Sequence, residues 1–203
     1  MKKRPIDYRL IFGLIVAHFL LYFSFQDNSI FWYIFSASLL VLITYAMLQE
    51  EVDDDASFFK YISLGVVFGL LQYIIFWLGY HSFGILHLPF ANSISRLYRW
   101  FAPSMFWQYL ALVLVAAPGE ELFWRGFVQK RLITYLGPLK SILVASLLYA
   151  SVQIYSGTFI LVFAAFISGL IWGVIYFWKK SMPLVIVAHL VFDIMIFIIL
   201  PLK

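Results

Sequence analysis

The residues able to do chemistry in this chain are few, and they stand among apolar neighbours. Gly119-Glu120-Glu121-Leu122-Phe123-Trp124-Arg125-Gly126 closes one apolar run, and His189 with Asp193 interrupts another. Gln153 is a weaker third interruption. Ionisable groups inside a membrane are expensive and mark functional sites. Glu121 and Arg125 are four apart, share a helix face and pair. Glu120 points about 100° away, which leaves one carboxylate free to face a cavity. Pro118 and Gly119 predict a break in the span, with Glu120 near a fresh helix start whose N–H groups favour its charge. His189 and Asp193 also share a face, and the Asp can hold the imidazole in one tautomer. Counting along the helices puts Glu120 ~7 Å from an inner end at Arg125, and His189 ~10 Å from an inner end at Met182. A carboxylate and an imidazole at one depth can do general acid–base work on water. That chemistry requires no cofactor and no metal, although Glu120, His189 and Asp193 are also a conceivable metal set.

Each of these groups also has a purely structural reading. Glu121–Arg125 is an ion pair at a helix end, His189–Asp193 a buried pair between helices, and Gln153 an interhelical hydrogen bond. The chain contains no cysteine, which excludes disulfides, thiol nucleophiles and Cys-based zinc sites.

The elements that must position these residues follow from composition. Of 203 residues, 64% are hydrophobic and 12% charged, against roughly 45–50% and about 25% in soluble domains. Lipid is the simplest place for that apolar surface. Seven apolar runs, about 10–25, 31–48, 61–80, 106–117, 142–154, 159–178 and 182–200, predict an all-α polytopic transmembrane bundle of about seven spans, read as one integral membrane domain over 1–203. The fourth and fifth are shorter than the ~20 residues of a full span and flank the polar cluster. An interfacial helix fits the second half of 81–104, where Arg96 and Arg99 alternate with aromatics. The basic start of the chain resembles a signal peptide, but without a small-residue cleavage site it reads as a retained first span. Gly65 with Gly69, and Gly169 with Gly173, have the spacing of close helix packing.

With the N-terminus cytoplasmic, Lys2, Lys3, Arg4, Arg9, Lys60, Arg125, Lys130, Arg131, Lys140, Lys179 and Lys180 lie inside. Arg96, Arg99 and Lys203 lie outside: eleven cations against three. Glu50, Glu51, Asp53, Asp54 and Asp55 read as a solvated inner loop. The cations sit between apolar runs rather than along a polar stripe, so nucleic acid is not an expected partner.

At these residues the chain resembles a known family. Glu120-Glu121-x-x-x-Arg125 is similar to the Glu-Glu-x-x-x-Arg motif of the CAAX protease and bacteriocin-processing (Abi) family, glutamate-dependent intramembrane endopeptidases. His189-x-x-x-Asp193 resembles that family's His-x-x-x-Asn/Asp motif. Between them, where the family carries Phe-x-x-x-His, this chain reads Tyr149-Ala150-Ser151-Val152-Gln153. The resemblance covers roughly 105–200. It implies that Glu120 activates water and that Glu121 and Arg125 support it. His189 and Asp193 would polarise the scissile carbonyl and stabilise its oxyanion. Gln153 replaces a histidine that positions the water; it can hydrogen-bond a water but cannot shuttle a proton.

Three functions follow. The first is an intramembrane endopeptidase acting on a membrane-associated peptide or protein near the cytoplasmic face, with the fourth, fifth and last spans around a cavity open to the inner side. The second is a scaffold or regulator that has lost the chemistry at Gln153. The third is a transporter, for which a second, matching broken helix is missing. The substrate, its prenylation and the oligomeric state are not set by the sequence. A bacterial cell membrane is the expected location, and bacteriocin immunity, peptide maturation and regulation are the candidate roles.

Overall fold

A computed structural model describes residues 6–202. Eight helices carry them: α1 (Tyr8–Ser24), α2 (Phe31–Gln49), α3 (Phe58–Ile85), α4 (Ala91–Phe101), α5 (Phe106–Leu136), α6 (Pro138–Ser156), α7 (Phe159–Lys179) and α8 (Met182–Ile199). There is no strand among the described residues, only an isolated bridge between Asp54 and Ser181. Helices dominate because a backbone in lipid must satisfy its own N–H and C=O groups.

All seven apolar runs lie within helices to within one residue of their ends. Five of them, α2, α3, α6, α7 and α8, are long and apolar enough to cross a bilayer, and α4 with α5 forms a sixth candidate bent by 101°. The first apolar run forms the shorter helix α1. The chain is an integral membrane protein. Large apolar side chains such as Phe12, Phe19, Leu48, Phe59 and Leu114 point outward, where lipid rather than water receives them. The positive-inside count includes Lys2, Lys3, Arg4 and Lys203, which lie outside the described residues.

The expected break at Pro118-Gly119 is not there; α5 continues to Leu136. Two widened, π-helical turns, Leu112–Ala116 and Leu122–Gln129, flank the short regular stretch Ala117–Glu121. The Ala117 N–H reaches back to the Leu112 carbonyl, so the wide turn arrives just before the proline ring, whose missing N–H and bulk a regular turn accommodates poorly. Glu120 therefore sits inside a continuous helix and not at a helix start. Gly119 serves packing: a Cβ there would lie 3.1 Å from Ile43 and 3.2 Å from Leu39 of α2.

Helix α8 lies along α3, and α6 along α7. The first contact depends on glycine. A Cβ on Gly65 would stand 2.6 Å from Val187, and one on Gly69 2.5 Å from the Ala188 carbonyl. We expect Gly69→Leu to push α8 outward and cost roughly 1–3 kcal/mol, the usual price of overpacking. Because Ala188 precedes His189, the same change should displace the imidazole. Thermal unfolding in detergent checks this, and an unchanged midpoint would refute the close-packing account.

The acidic loop is a clasp rather than a solvated loop. Lys130 Nζ binds Asp53 Oδ1 at 2.7 Å and donates to the Glu51 carbonyl at 2.8 Å. Arg131 pairs with Asp7 at 2.9 Å. Tyr176 donates to Asp53 Oδ2 at 2.6 Å, and Ser181 to Asp54 at 2.9 Å. Partial burial pushes the Asp53 carboxyl upward, but the Lys130 and Tyr176 hydrogen bonds outweigh it and hold it below its ordinary value. The clasp thus gathers the start of α1, the loop after α2, the later part of α5 and the turn between α7 and α8 at one basic end. Arg125, expected among the loop cations at this end, is instead buried in the bundle.

Candidate active site

The two wide turns of α5 bracket the segment that presents Glu120 and Glu121. Helix α6 supplies Tyr149 and Gln153, α7 supplies Trp172, and α8 supplies His189 and Asp193. Glu120, Glu121, Arg125, Gln153, His189 and Asp193 are all buried, Glu121 completely at 0% exposure.

Glu121 is the hub. Its Oε1 accepts from Arg125 Nη1 at 3.2 Å and pairs with His189 Nδ1 at 2.8 Å. Two cationic or donor groups converging on one fully buried carboxylate is the arrangement under which a buried charge is tolerated. The expectation that Asp193 fixes the imidazole tautomer therefore needs correcting. Glu121 holds Nδ1, whereas Asp193 Oδ2 lies 3.5 Å from the other nitrogen, Nε2. The reason is the approach of α5 to α8, which local spacing on α8 does not reveal.

Glu120 turns the other way. Its Oε2 accepts from the Tyr149 hydroxyl at 3.0 Å and lies 3.8 Å from His189 Nε2. Nε2 thus faces two carboxylates, one from Glu120 and one from Asp193, at distances longer than a hydrogen bond. The imidazole is stacked on Trp172, with ring centres 3.8 Å apart and planes inclined by 23°. The Arg125 guanidinium lies between two rings, 4.7 Å from Tyr149 and 5.1 Å from Trp172. Aromatic faces hold a cation that water does not reach. The hydrogen bonds of the centre link Tyr149 to Glu120, and Glu121 to Arg125 and His189; Gln153 takes no part in them.

Glu120, Gln153, His189 and Asp193 line one cavity of ≈ 560 Å³. Its walls are otherwise mostly apolar or aromatic, and a large part of them comes from the ends of helices: Phe25 and Phe31 at the α1–α2 turn, Tyr80 and Phe83 late in α3, Leu97 and Phe101 of α4, and Ile160 at the start of α7. Every one of these lies at the end remote from the clasp. A cavity open to the basic end was the expectation; the cavity instead extends to the opposite end, beneath α4. The clasp and the packing of Met182 near Gly126 occupy the basic end.

Sequence reasoning did not single out Tyr149 or Trp172 as site residues. Tyr149 had a signal, because it stands four residues before Gln153 and so on the same helix face. Trp172 had none that separates it from the other tryptophans. Among the described residues, no group of three or more His, Asp or Glu side chains has the arrangement of a metal site.

Residues 101–195 match the model of a family described as Type II CAAX prenyl endopeptidase Rce1-like. The match spans α5, α6, α7 and most of α8, and so takes in every residue of the centre. No curated protein and no solved structure matches the chain. Over the helices that build the centre, this chain is similar to the Rce1-like family of type II CAAX prenyl endopeptidases.

Proposed function

We propose that this chain is an intramembrane endopeptidase in which Glu120 activates water against a peptide bond of a membrane-associated protein or peptide. The observation that carries this reading is a carboxylate and an imidazole nitrogen 3.8 Å apart at the floor of an apolar cavity. In the proposed reaction, a water in the cavity gives a proton to Glu120 while its oxygen bonds to the scissile carbonyl carbon. The carbonyl π electrons move onto oxygen, and His189 Nε2–H donates to that oxyanion. Glu121 accepts the Nδ1–H and Asp193 supports the imidazolium from the other side. The oxyanion then collapses, the C–N bond breaks, and the Glu120 proton passes to the leaving nitrogen. Each step uses preorganised groups in a dry site, where such contacts count most.

The apolar walls suit a substrate that arrives within the membrane, and the similarity to type II CAAX prenyl endopeptidases makes a prenylated C-terminal tail the first class to try. The test is cleavage of prenylated and unmodified membrane peptides by purified protein in lipid, with Glu120→Ala and Gln153→His alongside. Cleavage by wild type and not by Glu120→Ala supports the proposal. Cleavage by Gln153→His alone would instead favour a scaffold or regulator, the reading supported by the absence of Gln153 from the hydrogen-bond network.

For orientation, the excess of cations at the clasp end supports a cytoplasmic location for that end. The cavity then extends toward the opposite leaflet, and the substrate bond is reached from there rather than from the cytoplasmic face. The chain lacks cysteine, so single replacements report cleanly. In intact cells, Asn28→Cys should react with a membrane-impermeant maleimide and Asp55→Cys only after lysis; the reverse pattern would invert the orientation.

A further inference from the structure

We infer that Tyr149 is a positioning residue for Glu120: its hydroxyl fixes one carboxylate oxygen so that the other faces the cavity to receive the proton. This rests on the proposed role of Glu120 as the base and says how that base is aimed.

Both contacts of the Glu120 carboxylate fall on the same oxygen. Tyr149 Oη donates to Oε2 at 3.0 Å, and His189 Nε2 lies 3.8 Å from that same atom. A carboxylate anchored at one oxygen cannot rotate about its last bond without losing the anchor, so Oε1 keeps a constant direction. The anchor is itself held. Tyr149 is buried, the Arg125 guanidinium lies 4.7 Å from its ring centre, and the Trp124 ring packs against it at 5.5 Å. Phenylalanine would fill the same space and remove only the donor to Glu120. The hydroxyl adds nothing to packing but aims a donor at the carboxylate.

The alternative donor is Gln153, one turn further along α6. It lines the cavity, but the hydrogen bond to Glu120 comes from Tyr149. A phenol is well matched to this task. It holds the carboxylate through a charge-assisted hydrogen bond, yet brings no charge of its own into a centre already containing an arginine and three carboxylates. Tyr149 keeps its proton throughout the proposed reaction, and so acts only through Glu120.

The test is Tyr149→Phe in lipid nanodiscs, read in two ways. First, the infrared carboxyl band of Glu120 is identified in carboxyl-labelled protein by its loss in Glu120→Ala. Second, kcat and KM are measured on a peptide the wild type cleaves. We expect the band to shift and kcat to fall about 10–100-fold, the scale on which misplacement of a reacting group acts. KM and the unfolding temperature should stay the same. An unmoved band overturns the hydrogen bond, whatever the kinetics. A shifted band with undiminished kcat overturns the positioning role, and so does a loss carried by KM or by a lower unfolding temperature. A shifted band in a protein whose wild type cleaves nothing locates the failure in the role of Glu120 as base, and the inference falls with that role while the bond itself stands.

Discussion

Glu120→Gln should lower the cleavage rate by at least about 10²–10⁴-fold, the range that general-base catalysis contributes. The substitution is nearly isosteric. Its amide oxygen can still accept from the Tyr149 hydroxyl, now 3.0 Å from Oε2, so the shape of the floor and the anchor survive. What is lost is the ability to take a proton from water. Binding should be little affected, and the deficit should appear in kcat. Measuring both constants on one peptide decides the matter: a variant that keeps more than a tenth of the wild-type kcat would remove Glu120 from the reaction and leave the centre as a structural knot between helices.

The second large effect concerns stability. Glu121→Ala should destabilise the bundle by about 3–5 kcal/mol, because it removes one partner of a buried pair and leaves the other charge uncompensated. Here the orphaned groups are two, Arg125 at 3.2 Å and His189 at 2.8 Å. Arg125 lies among aromatic faces at 2% exposure. The comparison that isolates this cause is the double change Glu121→Leu with Arg125→Met. Deleting both charges should recover much of the lost stability, as replacement of buried pairs by apolar residues does. If the double variant unfolds at the same temperature as Glu121→Ala, the penalty is one of packing and the ion-pair account is wrong.

Much of the architecture was legible without coordinates. The seven apolar runs are visible because lipid demands long uninterrupted segments, a signal that needs no long-range information. The polar centre was legible for the complementary reason: Glu120, Glu121, Arg125, His189 and Asp193 are out of place in such segments, and helical spacing alone pairs Glu121 with Arg125. What failed to show depended on distant contacts. The sequence around Pro118 and Gly119 reads as a break, since the wide turns that carry α5 through it have no compositional mark. Glu50 to Asp55 reads as a solvated loop because Lys130 and Arg131 are some eighty residues away along the chain and meet it only in the fold. The direction of the cavity was misjudged because it depends on where α4 lies across the bundle. That the imidazole tautomer is held by Glu121 and not by Asp193 follows from how α5 approaches α8, and the four-residue spacing on α8 pointed to the nearer but weaker partner.

The clasp across the basic end has a consequence for the membrane itself. A buried centre rich in charge, reached by water from both faces, would be a leak, and a bilayer holding a potential tolerates few of those. Here the ion pairs among Asp7, Asp53, Lys130 and Arg131 close one face, and the aromatic cavity approaches the centre from the other. The bundle is therefore a cul-de-sac. On the proposed function, reagents would enter and products leave through one mouth, with the clasp on the closed side.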